Sequence, residues 1–178
     1  MHKKVYRKFE KICSKFEIRG CVLEVGAMPE ESSLLNMPCL KHASEKIGIN
    51  LEGPYQYKDF PIIKGNANSM GCFNDGQFDA VLCNSVLEHD KYFWKTVSEI
   101  KRVTRKDGLI VIGAPGFTES HTLPLSVATA VLAVHNFPGD YYRFSPQAFK
   151  EIIFDGLKDV RIFSVMSVPR IIGCGIKP

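Results

Sequence analysis

The stretch CVLEVGAMPE, residues 21–30, decides how the rest of the chain is read. Residues 22–25 are apolar except for one acid, Glu24, and form a short buried strand. Gly26 breaks the run, and Pro29 with two glutamates follows. An apolar strand that ends in Glu-x-Gly and turns sharply is where open α/β sheets receive a nucleotide-like ligand. Backbone can approach the ligand closely there, and a following helix N-terminus offers free N–H groups.

Before this stretch, Val5, Phe9, Ile12 and Phe16 fall on one face of a helix whose opposite face carries Lys4, Lys8, Lys11 and Lys15. The spacing predicts a helix packed on the domain with a solvated basic face, rather than a membrane or nucleic-acid contact. After it, residues 32–37 have room only for a short helix, because Pro38 stops it. Residues 46–51 (KIGINL), 60–64 (FPIIK) and 78–83 (FDAVLC) read as the second, third and fourth strands, with a Gly-Pro turn at 53–54. The fourth is almost wholly apolar after Asp79, as expected of a strand covered on both faces.

A strong helix follows, with Asp90 as its N-cap and Phe93, Val97, Ile100 and Val103 as its buried stripe. Lys101, Arg102, Arg105 and Lys106 suit its C-terminal dipole, and Gly108 is expected to end it. Residues 109–113 (LIVIG) form a fifth strand. Residues 117–144 contain an apolar run at 123–134 and an aromatic turn at 135–144. Ser145-Pro146 caps a further helix through residue 154. Residues 160–165 and 170–176 then read as a hairpin on a sheet edge. The order predicts an α/β fold in a single domain: a mostly parallel twisted sheet, helices on both faces and a C-terminal antiparallel β-hairpin.

Composition narrows the function. The net charge is +4, but residues 1–20 hold seven basic and two acidic residues, a net of +5, which leaves −1 for the remainder. A nucleic-acid domain would spread positive charge over its working face, so no nucleic-acid partner is expected. No apolar run approaches the ~20 residues needed to span a bilayer, and charged residues interrupt the N-terminus where a signal peptide would be apolar. The expected location is cytoplasmic, with no membrane partner. The six cysteines lack C-x-x-C spacing and read as reduced thiols, and His89-Asp90 has no partner set for a metal.

The chain resembles the class I S-adenosylmethionine (SAM)-dependent methyltransferases, in particular their compact small-molecule branch. FDAVLCNSVLEH (78–89) and SEIKRVTRKDGLIVIGAPG (98–116) carry the resemblance most specifically, and it extends over nearly everything from residue 21 onward. It implies a Rossmann-like methyltransferase fold, SAM as cofactor and a small-molecule acceptor. It places Glu24 near the amino-acid part of SAM and Gly26, Ala27 and Met28 in the glycine loop. Asn50, followed by Leu51, takes the ribose position, and Asn66, followed by Ala67, the adenine position. Cys83, Asn84, Ser85 and His89 fall around the methionyl end.

Three departures from the family pattern stand out. The G-x-G-x-G loop appears as Gly26-Ala27-Met28-Pro29-Glu30, with two glycines missing. Both acids that grip the nucleoside are asparagines, whose amide oxygens accept the same bonds without charge-assisted strength.

Methyl transfer from a sulfonium is chiefly positioning, with a general base where the acceptor carries a proton. His89 is the nearest candidate base, although the corresponding histidine is often structural in the family. Tyr142 and Arg143 are the candidates from the long 117–144 excursion, with His121, His135, Asp140 and Tyr141 beside them. That excursion leaves the carboxyl end of the fifth strand, where an acceptor pocket is expected. The altered loop leaves open a SAM-binding regulatory or scaffolding module without catalysis. A nicotinamide-dependent oxidoreductase is the third reading, disfavoured by the lack of a full G-x-G-x-x-G.

Overall fold

The computed structural model describes residues 1–117, 139–165 and 169–178. Its centre is an eight-stranded sheet. In chain order the strands are β1 (Cys21–Val25), β2 (Glu45–Asn50), β3 (Tyr55–Tyr57), β4 (Phe60–Lys64), β5 (Phe78–Asn84), β6 (Thr104–Pro115), β7 (Lys158–Val165) and β8 (Arg170–Ile176). They lie in the order β3-β4-β2-β1-β5-β6-β8-β7. The five from β4 to β6 in this order run parallel, while β3, β8 and β7 are antiparallel to their neighbours. The chain leaves β1 for β2 on one side and returns to β5 on the other, which makes a topological switch point beside β1.

Alternation along the strands builds two cores. Leu23, Val25, Val81, Cys83, Ile110 and Ile112 face one side, with the helix α2 (Phe93–Val103) against them. Val22, Ala80, Leu82, Leu109 and Val111 face the other, covered by the helix α1 (Lys3–Cys13) and by two 3₁₀ turns, Leu34–Asn36 and Pro38–Leu40. α1 forms as its spacing predicts, with Val5, Phe9 and Ile12 buried. On the α2 side, the short helix α3 (Pro146–Ala148) opens with the Ser145 hydroxyl accepting from the Ala148 amide at 3.0 Å. It continues as a π-helical turn, Phe149–Ile153.

Three boundaries differ from expectation. β3, an edge strand built on two tyrosines, follows the Gly-Pro turn where no strand was expected. α2 starts at Phe93, two residues later than an Asp90 cap would give, with Tyr92 in the cap position. It also ends at Val103 rather than at Gly108. Thr104 pairs with Phe78, and the Arg105 guanidinium meets Asp79 at 2.8 Å, so the chain joins the sheet directly from the helix. Lys177, beyond β8, donates to the carbonyls of Arg102 and Thr104 and caps the helix end. The apolar run 123–134 and the start of the aromatic turn lie outside the described residues, as do His121 and His135.

Candidate functional site

The carboxyl ends of β1, β2, β4 and β5 open on a cleft of about 480 Å3. Val25 and Gly26 line it from β1, Asn50 and Leu51 from β2, Gly65, Asn66, Ala67 and Asn68 from β4, and Ser85, Val86, His89, Asp90 and Lys91 from β5. Tyr141 closes the far rim, and Met28 leans in from the glycine loop. A second cavity of about 210 Å3 adjoins it, sharing Gly26, Met28 and Ser85 and adding Glu24, Ser33 and Asn84. The two meet over Gly26, whose φ of 78° belongs to the left-handed region that favours glycine.

Glu24 has a structural task. It lies on the α1 face with 5% of its surface exposed, and its carboxylate accepts from the Ser33 hydroxyl at 2.5 Å and from the amides of Leu34 and Leu35. The acid therefore ties the loop after β1 to the end of its own strand. Burial pushes its pKa up to about 7, against the downward pull of those three hydrogen bonds.

Asn50 is also committed inward. Its amide nitrogen donates to the Ala27 carbonyl at 2.8 Å and to the Met28 sulfur at 3.3 Å, while its oxygen accepts from the Glu52 amide. An aspartate could not make the first two bonds, so the asparagine matches the altered glycine loop it holds. Asn66 uses its oxygen for the Asn68 amide at 2.9 Å.

Ala27 and Cys83 are buried in the two cores rather than in the cleft, and burial pushes the Cys83 thiol well up. Glu24 and Asn84 line the smaller cavity only. Asn84 donates to the Ser85 hydroxyl, and its Oδ1 is buried with no hydrogen-bond partner. That oxygen lies against Gly113, beside the Phe9 ring, and its lost hydrogen bond is a cost to the fold.

The structure turns two expected catalytic residues away from the cleft. Tyr142 donates from its hydroxyl to the Lys91 carbonyl at 3.0 Å and packs edge-on against Phe93. Arg143 grips Asp140 through both guanidinium nitrogens, at 2.6 and 2.5 Å, with both side chains mostly buried. They secure the turn. His89 and Tyr141 do reach the cleft.

Sequence reasoning missed a hub on the cleft wall. The Asp90 Oδ2 accepts from Asn68 at 2.6 Å and from the Thr96 hydroxyl at 2.7 Å, and its Oδ1 accepts from the Tyr92 amide at 2.9 Å. Reading Asp90 as a helix cap hid its link across to the β4–β5 connection. Glu88, next to His89, is fully buried and meets Arg170 at 3.3 Å, and burial pushes its carboxyl up. Among the described residues, no three His, Cys, Asp or Glu side chains gather as a metal site.

Comparison with known proteins agrees with this geometry. Residues 37–112 match a family described as a methyltransferase domain. No protein of curated function matches the sequence. Among solved structures, the YcgJ protein of Bacillus subtilis superimposes with a TM-score of 0.73 at 15% identity, over 99% of both chains. A SAM-dependent methyltransferase from Archaeoglobus fulgidus gives 0.72 at 16% identity, over 98% of this chain and 94% of its own. Haemonchus contortus phosphoethanolamine N-methyltransferase 2, solved with phosphomonomethylethanolamine and S-adenosylhomocysteine, gives 0.72 at 11% identity. It aligns over 99% of this chain and 53% of its own.

The fold is that of the class I methyltransferases. The match to a methyltransferase-domain family runs from just before β2 into β6, and the solved SAM-dependent methyltransferase shares this fold.

Proposed function

We infer that the protein transfers a methyl group from SAM to a small-molecule acceptor. The observation that carries this reading is the pair of cavities meeting over Gly26 at the carboxyl ends of the parallel strands. The larger cleft has the apolar walls and amide groups that suit a nucleoside, with Asn50, Leu51, Asn66 and Ala67 at its β2 and β4 end. The smaller cavity, with Glu30, Ser32 and Ser85 on its walls beside Glu24, Ser33 and Asn84, has the polar lining that suits an amino-acid tail.

Bound there, SAM supplies an activated methyl on a sulfonium. The protein's share is to hold that end beside Ser85 and to bring the acceptor in across the Val86–Lys91 rim. His89, exposed on this rim, is the residue positioned to take a proton from the acceptor. Tyr141 and Lys91 bound the same side, and the Haemonchus relative's small phosphorylated amine is an example of an acceptor of suitable size.

A second reading has one observation in its favour. The Asn50 side chain spends its hydrogen bonds on Ala27, Met28 and Glu52, which leaves fewer for a ribose and fits a regulatory or scaffolding module built on the altered glycine loop. The test is transfer of isotopically labelled methyl from SAM into a small-molecule extract, followed by mass spectrometry. A labelled product that falls at least tenfold with His89→Ala supports the enzyme, the order of effect expected of a general base. SAM binding without any labelled product supports the module.

A further inference from the structure

The cleft does not end at Tyr141. Lys91 and Tyr141 stand on its rim, and an aromatic surface continues outward from them along the first turn of α2. The Tyr142 hydroxyl bonds to Lys91, and its ring packs on Phe93. Phe93 packs edge-on against Trp94, and Trp94 against Tyr92. Beyond them Trp94 and Ile152 flank a groove of about 190 Å3 between α2 and the π-helical turn. Tyr92, Trp94, Tyr141 and Ile152 are each between 44% and 56% exposed, a concentration of large apolar side chains on one rim.

Lysines stud the same surface. Lys91 and Lys95 both approach the Tyr92 ring, and Lys101 lines the groove. Against these three stand Glu151 and Asp155, the latter offering Lys101 its carbonyl at 2.8 Å. The Asp90 carboxylate is turned inward to Asn68, Thr96 and the Tyr92 amide. Exposed tryptophan, tyrosine and isoleucine ringed by flexible lysines match the water–lipid boundary. The amphipathic rings lie at headgroup depth and the ammonium groups meet phosphates. A branched aliphatic beside the indole favours hydrocarbon over nucleic-acid bases, which reward flat faces.

We propose that this rim docks the protein on an anionic lipid surface, with Trp94 and Ile152 entering the interface and Lys91 and Lys95 facing the headgroups. The cleft mouth then opens toward the membrane. This docking is independent of whether the bound methyl donor turns over.

Trp94 is the chain's single tryptophan, so its fluorescence reports directly on the rim. The experiment titrates the full chain with vesicles of phosphatidylcholine alone and of phosphatidylcholine with phosphatidylglycerol, and measures S-adenosylhomocysteine affinity on the same samples. The expected result is a blue shift with the anionic vesicles only, reversed by salt. Lys95→Glu combined with Ile152→Ser, both outside the cleft, should weaken it by roughly tenfold or more at unchanged melting temperature. No shift, an equal shift on neutral vesicles, or full binding by the double variant would overturn the proposal. If S-adenosylhomocysteine binds while the vesicles do not, the docking surface alone is refuted. If vesicles bind and the nucleoside does not, the cofactor reading fails and the docking surface stands.

Discussion

A Cβ placed on Gly26 would stand 2.3 Å from Cγ2 of Val86. The turn after β1 and the loop after β5 are therefore in contact through a missing side chain, and the two walls of the cleft are set against each other there. Gly26→Ala should destabilise the protein by about 1–3 kcal/mol, from the left-handed φ and from this collision. Adding Val86→Ala removes the colliding carbon and should recover part of the loss. A double-mutant cycle by urea unfolding checks it, and strictly additive effects would show that the contact is not shared.

Glu24 makes stability depend on pH in an unusual direction. Its folded pKa of about 7 lies above the ordinary value of 4.5, so between these values the folded protein binds more protons than the unfolded chain. Stability from this group is therefore greatest at low pH and is lost as pH rises toward 7, by an amount on the order of 3 kcal/mol. Glu24→Gln keeps the shape and an acceptor for the loop amides. Urea unfolding at about pH 5 and about pH 7.5 should show a shallower fall for the variant than for the wild type.

Asp90 should matter more than a helix cap does. Asp90→Ala strips the acceptor from Asn68, the Thr96 hydroxyl and the Tyr92 amide together, at an expected cost of about 2–3 kcal/mol. Because Asn68 lines the cleft, nucleoside affinity should fall as well. Calorimetry on a variant that still folds separates the two effects.

Tyr142 and Arg143 should behave as structural residues. Tyr142→Phe removes one hydrogen bond and should cost about 1 kcal/mol. Arg143→Gln breaks a mostly buried two-pronged pair with Asp140 and should cost about 3 kcal/mol. Neither should abolish S-adenosylhomocysteine binding. A variant of normal stability that fails to bind would return these side chains to the site.

The sheet was legible because its signals are local. Apolar runs bounded by glycine mark β1 and the centre of β6, β5 is a continuous apolar run after Asp79, and the hairpin partners β7 and β8 lie close in sequence. β3 was hidden because two tyrosines around a glutamine, pairing only with β4, carry little pattern in three residues. The end of α2 was misplaced because what stops the helix is a distant pairing, Thr104 with Phe78, and not a local breaker.

In the site, motif position named the residues whose backbone or side chain lines the cleft, such as Gly26, Asn50, Asn66 and Ser85. It could not show where hydrogen bonds go. Whether the amide of Asn50 faces a ribose or the Ala27 carbonyl depends on a loop 23 residues away. The aromatic turn at 139–144 read as polar chemistry because Arg143 and Asp140 satisfy each other, which no spacing reveals.

The central claim is that the two cavities joined over Gly26 form a SAM site. The most direct test is calorimetric titration of the protein with S-adenosylhomocysteine, with NAD as the control nucleotide. The account predicts one-to-one binding of S-adenosylhomocysteine with a negative heat-capacity change, a raised melting temperature in its presence, and neither effect with NAD. Absence of binding at millimolar S-adenosylhomocysteine by a folded protein, or equal binding of NAD, would contradict it.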